Sequence, residues 1–311
     1  MTFPAIGFIG TGIMGAPMAG HLAKAGYAVT VCDLNPAAAE AVAAAHPTAR
    51  AVATPREVGA AAEIVITMLP SGPYVRDVAT GLNGLLESLA PGSLVLDTSS
   101  SEPWITKETA VALSARGIAM VDAPVSGAQW GAQAADLVFM VGGAAADVAR
   151  ALPLLRIMGK QVFHLGPLGA GHTMKCINNL ITATTFIATA EGLAIGAKYG
   201  LDADVMTEVL NVSTGQSWLT QNHIQQRVTS RKFDDPFKLE LMTKDVGIAM
   251  ELAERAWKGA LPLPLNGLAQ QLYKAANLAA GAGASVSEIA RWVELQAGVE
   301  IRGNTSPAKK A

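Results

Sequence analysis

Lys175 and Asn179 stand four residues apart in a long apolar stretch. On a helix, residues at that spacing are neighbours, with Cβ atoms about 5 to 6 Å apart. An amine and a carboxamide so placed can hold one small polar ligand. Apolar surroundings disfavour the ammonium and move a lysine down from its usual value of about 10.4, toward the range where it exchanges protons near neutrality. The spacing also fits a surface lysine with its stem laid along apolar neighbours, beside a capping asparagine.

A second chemical group opens the chain. Gly10-Thr11-Gly12-Ile13-Met14-Gly15 follows the apolar run from Ala5 to Ile9 and precedes a helical pattern through Met18, Leu22 and Ala25. Gly10 permits a tight turn, Gly12 lets the backbone approach a pyrophosphate, and Gly15 lets the helix pack close to the strand. The helix N-terminus offers unpaired N–H groups and the positive end of its dipole. A strand from Ala28 to Cys32 ends at Asp33, near the spacing of about 20 residues at which an acid accepts hydrogen bonds from the adenosine ribose. A carboxylate there repels a 2′-phosphate and no arginine follows it immediately, so NAD is expected and NADP less so.

The elements that would carry these groups alternate between strand and helix. After the helix Pro36 to Ala45, apolar runs at 63–68, 93–96, 118–121, 137–141 and 161–163 read as strands of a doubly wound sheet, with a helix from Ala144 to Leu155. Leu69-Pro70-Ser71 and Thr98-Ser99-Ser100 follow two of these strands, where open α/β sheets bind ligands, although such loops serve equally as helix caps. Pro124 and Gly127 predict an irregular path in which Ser126 and the Gly127 N–H could hold a carboxylate.

The stretch from Thr173 to Tyr199 lacks proline and predicts a helix of roughly 25 to 30 residues, about 40 Å long, joining two domains. Its apolar residues point several ways, which predicts burial on most sides. Lys175, Asn178, Asn179 and Glu191 argue against a membrane span. Helices follow at 202–211, 218–229, 239–257, 266–279 and 286–294, with Pro262 and Pro264 as a break and a disordered end from Arg302. The expected organisation is an α/β Rossmann domain over 1–166, a linking helix over 167–200, an all-α dimerisation and substrate domain over 201–298, and a tail over 299–311.

The chain has 311 residues, 50% of them hydrophobic and 15% charged, with a net charge of −2. That is enough for two domains with large cores, and it disfavours nucleic acid or an anionic membrane as partner. The first residues lack a basic region before the apolar run, so no signal peptide is expected and the cytoplasm is the expected compartment. Cys32 and Cys176 read as reduced thiols. The five histidines are scattered without metal spacing, so no metal is expected. His172, one turn before Lys175, could tune it, but reads more simply as an exposed residue at a helix start.

Four segments together resemble the β-hydroxyacid dehydrogenases: GFIGTGIMGAPMAGHLAKAG, DAPVSG, GAGHTMKCINN and LMTKDVGIA. The resemblance runs from about Ile6 to about Glu294. It implies that Lys175 is the catalytic acid/base and that Ser126, Gly127 and Asn179 bind the substrate carboxylate and hydroxyl. It also implies that Leu69, Pro70 and Ser100 contact the cofactor and that Lys244 lies beside the nicotinamide. The implied reaction is NAD-dependent interconversion of a small β-hydroxy acid and its semialdehyde. Ala128-Gln129-Trp130 departs from the family, where a second glycine is common, at the wall expected to shape the substrate site. An imine reductase of the same architecture is the alternative, against which Lys175 argues, and a catalytically idle NAD-binding oligomer is another. The apolar helical domain predicts a homodimer or homotetramer.

Overall fold

The computed structural model describes residues 3–259 and 263–303. The chain divides into two compact units, Met1–Lys175 and Cys176–Ala311.

The first unit begins β1 (Ile6–Ile9), α1 (Gly15–Lys24), β2 (Val29–Cys32), α2 (Pro36–Ala45), β3 (Ala49–Ala51), α3 (Pro55–Ala61) and β4 (Ile64–Thr67). It continues α4 (Gly72–Thr80), β5 (Leu94–Asp97), α5 (Pro103–Ser114), β6 (Ala119–Asp122), β7 (Val125–Ser126), α6 (Ala128–Ala134), β8 (Leu137–Gly142), α7 (Ala145–Met158) and β9 (Gly159–Gly166). Every residue of β1, β2, β4 and β5 is buried, as parallel strands covered on both faces require. Their alternate side chains feed two layers. Phe8, Ile66, Leu94 and Leu96 pack with Met18 and Leu22 of α1, whereas Val65 and Val95 pack with Val58, Leu85 and Leu113.

The six parallel strands run in the order β3-β2-β1-β4-β5-β6. Strand order reverses between β1 and β4, and the crevice at such a reversal is where doubly wound sheets hold dinucleotides. β8 then pairs antiparallel with β6 and β7, and parallel with β9.

Three local readings need correction. The path at Gly127 is irregular as expected, but it leads into a helix that the sequence reading did not place: Gly127 at φ +134° and Ala128 at φ +53° turn the chain sharply into α6. The short pair β3 and α3 escaped the sequence reading because Ala49-Arg50-Ala51 has no apolar run, while α3 is set by a Thr54–Glu57 capping box. The helix expected over 218–229 divides into α10 (Trp218–Asn222) and a π-helical turn at Ile224–Thr229, because His223 adopts φ −131°.

The long helix α8 (Ala170–Lys198) carries the boundary between the units. In the second unit α9 (Ala203–Asn211), α10, α11 (Leu239–Ala256), α12 (Pro264–Ala280) and α13 (Glu288–Ala297) follow, packed around Phe186, Tyr273, Val246 and Ile289. Pro264 opens α12 rather than breaking the chain, since its missing N–H costs nothing in a first turn. Pro262 lies outside the described residues, as do residues 304–311, on which most of the expected disordered end falls. The chain is still packed at Ile301, which is fully buried with its N–H on Glu294 Oε1 at 2.6 Å.

By length and composition α8 could cross a membrane. Its first turn, however, inserts the buried His172 among residues of the sheet, and its middle buries Ala183, Phe186, Ala190 and Leu193 in a protein core. Most of its residues are buried or half-buried, as expected, with one side open. Ile177, Ile181, Ala188, Glu191 and Ile195 form one exposed stripe at helical spacing.

Candidate active site

The glycine turn shows in its geometry why each glycine is there. Gly10 has φ +94°, and a Cβ on it would meet the Met68 carbonyl at 2.2 Å. A Cβ on Gly15 would lie 1.8 Å from the Gly10 carbonyl, so α1 could not come so close to β1 with any side chain there. Gly12 differs: nothing lies within 4 Å of its would-be Cβ. That open space is what a pyrophosphate lying on the backbone needs. Thr11 is buried, Ile13 is exposed and Met14 leans on the core. Asp33 lies just past β2, and its Oδ2 accepts the Thr11 N–H at 2.6 Å while Oδ1 accepts the Asn35 N–H at 2.8 Å. The ribose-type carboxylate is thus tied to the phosphate-type turn.

The loops after β4 and β5 are cross-linked. The Leu69 N–H donates to Ser99 Oγ at 2.9 Å, the Thr98 hydroxyl donates to the Thr67 carbonyl at 2.6 Å, and Ser101 donates to Asp97 Oδ2 at 2.9 Å. Thr98, Ser99 and Ser101 are therefore absorbed into the sheet end, while Ser100 is half-buried and Pro70 exposed. Ser126 closes β7, half-buried, with Gly127 at the start of α6.

The start of α8 is anchored by residues that sequence reasoning misjudged or missed. His172 is fully buried rather than exposed, because α8 begins inside the first unit against the ends of β5 and β6. Its Nδ1 is 2.8 Å from Thr106 Oγ1, and Asp97 and Asp122 flank the ring. Asp122 accepts the N–H groups of Gly169 at 2.7 Å and His172 at 2.8 Å, so a carboxylate caps the helix N-terminus. Burial pushes the Asp122 carboxyl above its ordinary value, against the opposing pull of His172 and these two N–H groups. Lys175 follows one turn later, half-buried.

Within the second unit, Asn179 is buried and its Nδ2 donates to Asp245 Oδ2 at 2.6 Å. Lys244 Nζ stands 3.2 Å from the other oxygen of Asp245. Asp245, itself buried, lies in the LMTKDVGIA segment but drew no assignment from the sequence. Asp97 and Asp122 gave the same unheeded signal, an acid as the last residue of an apolar strand.

The open space at Gly12, the crowded Gly10 and Gly15, and Asp33 at the neighbouring strand end fit a dinucleotide. Residues 5–166 match the family described as the NAD binding domain of 6-phosphogluconate dehydrogenase. Residues 169–293 match the one described as NAD-binding of NADP-dependent 3-hydroxyisobutyrate dehydrogenase. An NAD-dependent L-serine dehydrogenase of Pseudomonas aeruginosa is 40% identical over 275 residues, 86% of this chain and 91% of that one. A 2-(hydroxymethyl)glutarate dehydrogenase of Eubacterium barkeri is 35% identical over 96% of this chain and 97% of its own. The structure of a 3-hydroxyisobutyrate dehydrogenase of Mycobacterium tuberculosis, described with L-serine, matches with a TM-score of 0.84 and 34% identity, covering 94% of this chain and 99% of that one. A glycine turn at the sheet's reversal, with these matches running through both units, makes the chain a member of the β-hydroxyacid dehydrogenase family, with NAD as its cofactor.

Proposed function

We propose that this NAD-dependent hydroxyacid dehydrogenase acts on a small primary β-hydroxy acid, HO–CH2–CHR–COO⁻, and interconverts it with the semialdehyde, with Lys175 as acid/base. The three substrates named for the relatives, L-serine, 3-hydroxyisobutyrate and 2-(hydroxymethyl)glutarate, share this skeleton and differ only in R. The observation that carries the reading is the pair on α8: Lys175, and Asn179 one turn on with its amide orientation held by Asp245.

Bound NAD supplies the hydride acceptor in the oxidative direction. Gly10 to Gly15 hold its pyrophosphate and Asp33 its ribose, with Leu69, Pro70, Ser100 and Lys244 as further contacts. The neutral Lys175 amine takes the substrate hydroxyl proton, so that the C–O bond becomes a carbonyl as the hydride leaves carbon. In reduction the ammonium returns that proton. Ser126 and the Gly127 N–H anchor the carboxylate, and Asn179 Oδ1 orients the hydroxyl. Positioned proton transfer of this kind contributes about 10²- to 10⁴-fold.

The test is oxidation of serine, 3-hydroxyisobutyrate, 3-hydroxypropionate, glycerate and 4-hydroxybutyrate with NAD and with NADP, followed by formation of the reduced nicotinamide. Turnover is expected with NAD on acids carrying a primary alcohol on the carbon next to Cα. Preference for 4-hydroxybutyrate, or for an imine in the reductive direction, overturns the substrate class.

The assembly proposed with this function is a homodimer or homotetramer. Exposed Ile177, Ile181 and Ile195 of the α8 stripe support it, together with exposed Val205 and Val209 on α9, since apolar side chains repeated on a helix face gain by burial in an interface. A monomer in sedimentation at micromolar concentration refutes it.

A further inference from the structure

Asp97 closes β5 and Asp122 closes β6, and the two are paired in register at the sheet end. Both are fully buried, and so is His172 between them. Asp97 accepts hydrogen bonds from Thr67 Oγ1, the Ser99 N–H and Ser101 Oγ. Two carboxylates in a dry strand end repel each other and need a nearby donor or cation. The imidazole stands where it can serve both, with Nε2 3.5 Å from Asp97 Oδ2 and Nδ1 3.7 Å from Asp122 Oδ2.

Thr106 fixes the rotation of the ring. Its hydroxyl lies 3.1 Å from the Glu102 carbonyl and 2.8 Å from Nδ1, and as both donor and acceptor it holds the ring in either tautomer. Nε2 then faces Asp97, with no hydrogen bond among the described residues. Gly171 brings this turn hard against β8: a Cβ there would lie 2.2 Å from the Met140 carbonyl. The first turn of α8 is thus tied through its backbone to the end of β6 by Asp122 and through a side chain to α5 by Thr106. Lys175 sits three residues after His172, on the same side of the helix.

We propose that His172 is a positioning residue: locked by Thr106 between Asp97 and Asp122, it sets the rotation of the turn that presents Lys175 to the substrate hydroxyl. The proposal rests on Lys175 being the acid/base. A histidine that merely filled space would be indifferent to the Thr106 hydroxyl. A positioning histidine needs that hydroxyl, and its loss displaces the amine and slows the proton transfer more than it weakens ligand binding.

The test compares Thr106→Ser, Thr106→Val and His172→Gln for kcat, KM, NAD dissociation constant and melting temperature. Thr106→Ser keeps the hydroxyl, and kcat is expected within about twofold of wild type. Thr106→Val and His172→Gln are expected to lower kcat by about 10- to 100-fold, the scale of a misplaced reacting group, while KM and the NAD dissociation constant change by less than about threefold. Wild-type kcat in both variants overturns the inference. So does equal loss in Thr106→Ser and Thr106→Val, a fall in NAD binding in proportion to kcat, or failure of both variants to fold, which would make His172 a packing residue. Lys175→Ala, measured alongside, separates the two readings. Full turnover in it sinks the acid/base assignment itself, whereas an inactive Lys175→Ala beside normal Thr106→Val and His172→Gln sinks only the role of His172.

Discussion

Asn179 donates through Nδ2 to Asp245 Oδ2 across 2.6 Å, and this single bond decides which way its amide faces. A carboxylate only accepts, so the NH2 side must point to Asp245. The Oδ1 side is thereby turned to other partners, among them Asn178 Nδ2 at 3.0 Å.

Asp245→Ala removes that constraint and leaves the buried Asn179 amide and the neighbouring Lys244 without their carboxylate. The variant is expected to lose about 1 to 3 kcal/mol of stability, the cost of a buried donor left unpaired. Its kcat/KM for the hydroxy acid is expected to fall by at least tenfold, on the order of a lost hydrogen bond in the transition state. Urea unfolding and steady-state kinetics check both, and a variant as stable as wild type would show that the bond contributes nothing.

Gly12→Ala and Gly15→Ala separate binding from folding within one turn. A methyl at Gly12 enters open space, so the melting temperature should hold while NAD affinity falls. At Gly15 it collides with the Gly10 carbonyl, and a rigid backbone contact of that kind costs about 1 to 3 kcal/mol or more. Calorimetry and a fluorescence titration with NADH distinguish them. Equal melting temperatures for the two variants would contradict the geometry.

Asp33→Ser tests cofactor choice. Loss of the carboxylate removes the ribose acceptor and the repulsion of a 2′-phosphate, so NAD should weaken by about tenfold and the ratio of NADP to NAD turnover should rise. Thr11 also loses the partner of its N–H, so NADP is not expected to reach the efficiency of NAD in the wild type. An unchanged cofactor ratio would show that Asp33 serves only the turn.

His223 gives a pH signature in the second unit. Its Nδ1 is 3.2 Å from Asp235 and its Nε2 3.2 Å from Ser287 Oγ. Burial holds the ring below its ordinary value, with Arg227 adding to this and Asp235 opposing it. The unfolded chain therefore takes up the proton first as pH falls, so the stability contributed by the neutral ring is present above about pH 6.5 and is lost as pH falls through the folded value. Wild type should lose stability across that window more steeply than His223→Gln, as read by melting temperature against pH. Parallel curves would exclude His223 as the source.

Much of this molecule is legible locally. Gly10 and Gly15 announce the turn because only glycine tolerates those approaches, Gly12 because a pyrophosphate needs open space over the backbone, and buried runs such as Ile64–Thr67 announce parallel strands because both their faces are covered. The absence of proline from Thr173 to Tyr199 and the apolar density of that stretch announce α8. These are properties of neighbouring residues, and periodicity carries them. Element edges such as β3, and the break at His223, were hidden because short polar strands and single deviant dihedrals leave no periodic trace.

Tertiary structure alone decided who meets whom. Thr106 and His172 are 66 residues apart, as are Asn179 and Asp245, and no pattern within a helix or strand chooses such a pair. The order of strands in the sheet brings Asp97 beside Asp122 and both to the start of α8, which turns a histidine that reads as exposed into a fully buried one. Sequence determined which groups could do chemistry and on which elements they ride. The choice of hydrogen-bond partner, and with it the orientation of each group, came from the long-range packing that excludes water from those contacts.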